Sequence, residues 1–593
     1  MRIATLRFRQ LAVISIMVAA TALTACTSSK TPDKDTLRMN LVADIKGLDP
    51  IYVSDLYSNT VAANIFDTLF TYHYLQRPLK LIPYLAESMP EASKDGLVHT
   101  IKIRKGVLFQ DSEAFPSGKG RELTAQDFIY SWKRLADKSN TSDGFWIFDG
   151  KIKGLNEWRD NLTDGKAKFE DDIEGLKAVD SHTLQITLTQ PYYQLYNVLA
   201  MTYASPVAKE VVDKYGKETL NHPVGTGPYK LSKWIRGNTI ILDENPTWHG
   251  KSWMKYPSEG EEGDKEKGLL EDAGKALPFV KRIVFSNIIE SQPAWLNFLN
   301  ARFDLSPIQK DDFDSAIING EVAPALKEKG IQLIVTPGYD TSFQAINMED
   351  PLLGKNKNLR KAISLAANPD GFIEKFYNGR AQEAHGPITP GIGGYDKDFK
   401  NPYRGQNIEK AKQFLAKAGF PEGKGLTPIT YHTTSSSTGR QSAEYFKENL
   451  AKAGIPVKVV SLSWPQFSED VRTKKIQIYG MAWGADYPDA ENFLQLFYSK
   501  NISPGPNGAN YSNPTFDKLY EKALLLPDSP ERTKIYKQMR DIVVEDVPWT
   551  YTGHRLTYGL FYPWLKNYKP NKIVAGSVKY YRIDNNLREQ KLK

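Results

Sequence analysis

The chain has 593 residues, of which 41% are hydrophobic and 25% charged, a globular composition with enough apolar material for several cores of ordinary size. Against 69 Asp and Glu stand 77 Lys and Arg, a net charge of +8; over this length, with no long basic run, that excess gives no case for a nucleic-acid partner. Mean hydropathy is −0.46, and the one long apolar run is N-terminal, which excludes a polytopic membrane protein.

Arg2, Arg7 and Arg9 form a basic segment without acids, and an apolar stretch over 11–20 follows it, too short for a comfortable bilayer span. Residues 23–26 read Leu-Thr-Ala-Cys, and Cys26 is the only cysteine. The order resembles a bacterial lipobox, which implies cleavage after Ala25 and a lipid on Cys26. Residues 1–25 are then a lipoprotein signal peptide, and 26–36 form a polar tether from membrane to domain. The plainer alternative is a secretory signal with an incidental cysteine. With one cysteine no internal disulfide forms, although an extracytoplasmic compartment permits one.

Alternation over 37–43 predicts a strand, and apolar spacing of three and four over 59–70 predicts a helix. Residues 98–103 (VHTIKI) alternate as a strand that Gly106 and Val107 break. Thr124 is placed to cap a helix running to Leu135, with Asp127 near its third position. A strand is expected at 183–188, and a hairpin over 229–243 turning at Arg236, Gly237 and Asn238. Residues 256–275 are rich in Gly, Glu and Lys and read as a solvated surface insertion. Two similar segments, 415–421 (LAKAGFP) and 450–456 (LAKAGIP), each read as a helix end capped by Gly with Pro beyond. The second runs into a strand at 457–460; the first reaches Ile429 and Tyr431 after a loop. This alternation predicts α/β organisation with a mostly parallel sheet in the later half.

Catalytic signatures are missing. There is no nucleophile elbow, no His-Glu-x-x-His and no phosphate-binding loop beyond the partial match at 117–120 (SGKG). Asp396 and Asp398 open a calcium-like spacing that Lys400 and Asn401 spoil. The eight His lack metal spacing. No enzyme activity and no cofactor are expected.

Four blocks carry a resemblance. Residues 103–109 (IRKGVLF) continue to 123–135 (LTAQDFIYSWKRL); then come 225–229 (GTGPY) with 245–248 (NPTW), 359–363 (LRKAI) with 386–390 (GPITP), and 483–489 (WGADYPD). In this order they resemble the family-5 solute-binding proteins of bacterial ABC importers, of the oligopeptide- and dipeptide-binding type, over nearly the whole mature chain. The resemblance implies a two-lobed α/β periplasmic-binding-protein fold with an extra subdomain on the first lobe and a ligand cleft between lobes. Lobe I would take 37–337, with the extra subdomain at about 70–191; lobe II would take 338–550, and 551–593 would return to lobe I. The implied partners are an oligopeptide and ABC permease subunits. The protein would be a monomer, lipid-anchored in the periplasm or on the outer face of the cell membrane.

The same resemblance assigns the site. Asp486 stands at the ammonium-binding position; from spacing alone it reads equally as a cap for the turn before Pro488. It follows the expected buried strand at 476–479, so it falls at a strand's C-terminal end, where open α/β sheets place ligands. Trp483, with its neighbour Gly484, and Trp464 match aromatics lining side-chain pockets. Arg472 lies near an arginine that holds the peptide's C-terminal part. Ser54 and Leu56 align with a backbone-pairing segment, and Trp146, beside Phe145, lies near another aromatic. The sequence departs from the pattern at Gly480 and Ser54, where relatives carry Arg and Glu. Those two lost charges leave a non-peptide solute (oligosaccharide, haem, nickel chelate or glutathione) as an alternative ligand, with a secreted hydrolase as the other functional class.

Overall fold

The computed structural model describes residues 34–593; the expected signal peptide, the lipidated Cys26 and the tether up to residue 33 lie outside the described residues. Two α/β lobes close on one another. The core sheet of the first has four strands in the order Thr36–Leu41, Arg282–Asn287, Thr239–Glu244 and Tyr229–Ile235. The last two form the expected hairpin, turning at Gly237 with φ +65°, a left-handed conformation that glycine adopts without a Cβ penalty. Leu37, Leu242, Ile283 and Phe285 are buried on this sheet, packed with Tyr562, Trp564 and Tyr580 of the C-terminal segment.

A second four-stranded sheet, Glu91–Ala92, Val98–Lys102, Thr183–Thr187 and Leu176–Asp180, is wholly antiparallel and forms the extra subdomain. The helix Ala125–Ala136 packs beside it. Its start follows from the sequence: the Asp127 carboxylate accepts a hydrogen bond from the Thr124 N–H at 2.8 Å, answering an otherwise orphaned donor. Phe128, Trp132 and Leu135 recur at helical spacing and are all buried.

The largest sheet runs Leu305–Pro307, Trp549–Phe561, Asp340–Ile346, Ile478–Gly484, Ile429–Thr434, Val457–Leu462, with Gln332–Pro337 and Ala381–Glu383 also paired to Trp549–Phe561. Its pairing corrects the expectation of a mostly parallel sheet. Only Ile429–Thr434 pairs in parallel, with Val457–Leu462 and Ile478–Gly484, because the helices Ser437–Ala451 and Trp464–Arg472 provide the crossovers a parallel pair needs. The 13-residue strand Trp549–Phe561 is antiparallel to everything it touches. Its first part pairs with Asp340–Ile346 and its second with Gln332–Pro337. The chain thus crosses between lobes along two adjacent segments, 337–340 and this long strand.

Two local readings also change. The helix expected at 59–70 is Leu56–Ala62, and Phe70 already belongs to a strand. Asp55 caps it by accepting from the N–H groups of Tyr57 and Ser58, and beyond it the Ile65 carbonyl turns away to accept from the Gly227 N–H at 2.8 Å. The 256–275 segment has no helix or strand and exposes half of its residues, as expected of a surface insertion, but it is anchored. Asp264 and Asp272 are fully buried, paired with Lys569 at 2.7 Å and Arg582 at 2.5 Å; counter-ions from the C-terminal segment hold the acidic loop against the core.

Candidate functional site

The strand Ile478–Gly484 ends at the interlobe cleft, and Asp486 follows two residues later. Asn492, itself fully buried, fixes this corner with three hydrogen bonds. Its Nδ2 donates to Asp486 Oδ2 at 2.9 Å, and its Oδ1 accepts from the Asp486 N–H and from Trp483 Nε1, both at 3.0 Å. Asp486 and Trp483 are therefore oriented by one amide.

The Asp486 side chain is only partly buried and keeps some accessible surface. Burial raises its pKa to about 6, opposed by the Asn492 hydrogen bond and reinforced by the nearby Glu491 charge. None of these groups is a cation. From the first lobe, Tyr72 and Tyr203 lie within reach of its charge: burial first, and then Asp486, pushes up the phenol of Tyr72, while burial, Asp143 and Asp486 push up that of Tyr203. A partly buried carboxylate with no cation among the groups that shift it has the chemistry to receive a ligand cation.

Trp464 opens the helix Trp464–Arg472. Its ring stacks on Phe467 at 5.7 Å and meets Tyr57 of the opposite lobe edge-on at 5.8 Å. Arg472 binds Glu469 through two hydrogen bonds of 2.8 and 2.6 Å, so much of its charge is already answered; Asp143 and Tyr52 of the first lobe act on it too. Asp143 also gathers Ser54, whose hydroxyl donates to it at 2.7 Å, and Lys46 at 3.3 Å. Leu56, next to Tyr57, is 54% exposed. A Cβ at Gly484 would meet no atom within 4 Å, whereas at Gly480 it would lie 2.4 Å from the Tyr431 hydroxyl. Tyr431 leaves no room for a side chain at Gly480.

The fold thus gathers Asp486, Trp483 and Gly484 at one strand end, Trp464 against Tyr57, and Arg472 and Ser54 around Asp143. Trp146 is 6% exposed, buried in an apolar cluster that continues into the second lobe and against which Trp464 and Trp483 pack, and its carbonyl accepts from Lys151 Nζ at 2.7 Å. Asn492, Tyr57, Tyr72, Asp143 and Tyr203 were not singled out from sequence. Asn492 alone carried a local signal, six residues beyond Asp486; the others come from the facing lobe. The lobes touch elsewhere as well: Gln194 Nε2 donates to Asp489 Oδ2 at 2.9 Å, and the Lys151 charge acts on buried Glu491.

Comparison with known proteins agrees with this architecture. The family described as bacterial extracellular solute-binding proteins, family 5 middle, matches residues 80–505. The glutathione-binding protein GsiB of Escherichia coli O6:K15:H31 is 28% identical over 510 residues, 85% of each chain. The ABC transporter-associated periplasmic binding protein DppA of Helicobacter pylori, in complex with the peptide STSA, superposes with a TM-score of 0.76 at 25% identity over 93% of this chain and 98% of that one. Haemophilus influenzae OppA, in complex with RPPGFSPFR, gives 0.74 at 21% identity over 93% and 100%. Among the described residues no helix is long and apolar enough to cross a membrane. The chain belongs to family 5 of the bacterial extracellular solute-binding proteins, two-lobed binding proteins of ABC importers and not enzymes.

Proposed function

We propose that this protein is the lipid-anchored receptor of an ABC importer and captures oligopeptides between its lobes. Asp486 carries the reading: an oriented, partly buried carboxylate with no cation beside it matches the one positive group that every unblocked peptide presents. Trp464, Trp483 and Tyr57 supply amphipathic walls that accept side chains of many shapes, and main-chain hydrogen bonds to an extended peptide would ignore its sequence. Closure buries the ion pair and strengthens it. Relatives crystallised with peptides, and a relative named for glutathione, itself a small peptide with an α-ammonium, support the same ligand class. The lipid on Cys26 would hold the monomer at the outer face of the membrane, beside the permease that receives the cargo.

Calorimetric titration of the purified protein with short peptides and their N-acetylated forms tests the assignment. Free peptides should bind, and acetylation should weaken binding by about a hundredfold, the cost of stranding a desolvated charge. Equal binding of both forms overturns the role of Asp486. Incorporation of labelled fatty acid that survives Cys26→Ala overturns the anchor.

A further inference from the structure

A run of hydrogen bonds crosses from one lobe to the other beside the cleft. On the second lobe, Asp489 is paired with Arg532 and accepts from the Tyr536 hydroxyl at 2.9 Å. From the first lobe, Gln194 Nε2 donates to Asp489 Oδ2 at 2.9 Å. Gln194 precedes the short helix Leu195–Val198, and Asn197, three residues on, shares its face. Asn197 Nδ2 donates to Gln194 Oε1 at 2.7 Å, and Asn197 Oδ1 accepts from the Tyr72 hydroxyl at 2.8 Å. Gln194 and Tyr72 are both buried.

The direction of this run is set at Asp489. The Arg532 guanidinium and the Glu491 N–H can only donate to it, so it accepts as a carboxylate, and the Gln194 amide must turn its NH2 that way. The Gln194 oxygen then faces Asn197 and takes that residue's NH2, and the Asn197 oxygen is left to take the single proton of Tyr72. Burial and the Asp486 charge both push the Tyr72 phenol up, so it keeps that proton, and keeps it on Asn197. A phenol that has spent its proton has only lone pairs to offer elsewhere. Although the Asp486 charge acts on Tyr72, no hydrogen bond joins them; among the described residues the Asp486 carboxylate accepts only from Asn492. Two acceptors share this corner with no proton between them, which costs free energy until a donor enters.

We propose that Gln194 and Asn197 are positioning residues: braced across the lobes on Asp489, they hold Tyr72 as a hydrogen-bond acceptor beside Asp486, and lobe closure thereby builds a corner that selects groups rich in N–H donors. A primary ammonium has donors enough for both oxygens, whereas a hydroxyl or a secondary amide can serve only one. Asp489 lies on the second lobe and the other members of the run on the first, so opening cuts the run at the bond between Gln194 and Asp489. Both amides are then free to turn, and Tyr72 is free to point its proton into the corner. Selection for the ammonium is therefore a property of the closed form.

This inference rests on the peptide reading above, and its test separates the two. Trialanine and N-acetyltrialanine would be titrated calorimetrically into the wild type and into variants whose melting curves confirm the fold. Tyr72→Phe should weaken trialanine by about tenfold, the loss of one hydrogen bond to a charged group. Asn197→Leu should weaken it at least as much, because the Tyr72 proton is then released into the corner. The double variant Asn197→Leu/Tyr72→Phe should bind no worse than Tyr72→Phe alone. Gln194→Leu should cost trialanine severalfold. None of these changes should weaken N-acetyltrialanine by more than about twofold, since its one terminal N–H cannot serve both oxygens. Losses that add in the double variant, or that fall equally on both peptides, overturn the positioning role and leave the peptide reading standing. Wild-type affinity in both Asn197→Leu and Gln194→Leu does the same. Equal binding of the two peptides to the wild type, or failure of both to bind, overturns the peptide reading and this inference with it.

Discussion

At Asp486, what would suit the proposed binding opposes stability. Burial raises its pKa from 3.8 to about 6, so the folded state holds the proton more tightly than the unfolded chain. The cost of ionising it is absent below pH 3.8, grows between the two values and is full above about pH 6, on the order of 2–3 kcal/mol. Asp486→Asn should therefore raise the stability of the ligand-free protein at pH 8 by about that amount, a gain that dwindles between pH 6 and pH 4, as denaturant titrations at several pH values will read. The same variant should lose peptide binding. In the wild type, affinity for a peptide ammonium should fall about tenfold per pH step of one below pH 6, because the carboxylate must first give up its proton; a flat profile from pH 7 to pH 4.5 contradicts the ion pair. Sequence showed the Asp486 corner because the Trp-Gly-Ala-Asp-Tyr-Pro-Asp run is contiguous. It could not show Tyr72 or Tyr203, which reach the same space from another lobe.

Glycines give the sharpest contrast among the elements. On the strand Ile478–Gly484, a methyl at Gly480 would collide with the Tyr431 hydroxyl at 2.4 Å, while one at Gly484 meets nothing. Gly480→Ala should destabilise the protein by about 1–3 kcal/mol through overpacking. Gly484→Ala should leave the melting temperature unchanged and weaken peptide binding, since its methyl enters the cleft; the reverse pattern would place the cleft on the wrong side of the strand. What was legible in these elements is what their own residues decide. The helices Ile408–Lys417 and Ser437–Ala451 end as read, with Gly419 at φ +93° and Gly454 at φ +85°, since a cap needs only its neighbours. Sheet direction was not legible, because it depends on the strand Trp549–Phe561 arriving from far along the chain.

Across the whole molecule, charges distant in sequence tie the ends together. Lys569, buried, meets fully buried Asp264 from 305 positions away, and Arg588 donates to the Thr36 carbonyl at 2.7 Å. Composition could not show that 256–275 is anchored, because the partners of its acids lie in another part of the chain. Lys569→Met should cost about 3–5 kcal/mol by stranding Asp264, read as a lowered denaturation midpoint; a loss below 1 kcal/mol would mean that the loop is not anchored there. The two-lobe plan was legible through the ordered family blocks, whereas the contacts that hold the cleft, such as Gln194 with Asp489, were not.

The strand shared by the two lobes has a thermal consequence. Trp549–Phe561 hydrogen-bonds to Asp340–Ile346 at one end and to Gln332–Pro337 at the other. Neither half can shed its ladder without fraying the other's, so heating in a calorimeter should give one cooperative endotherm for the pair, not two resolved peaks.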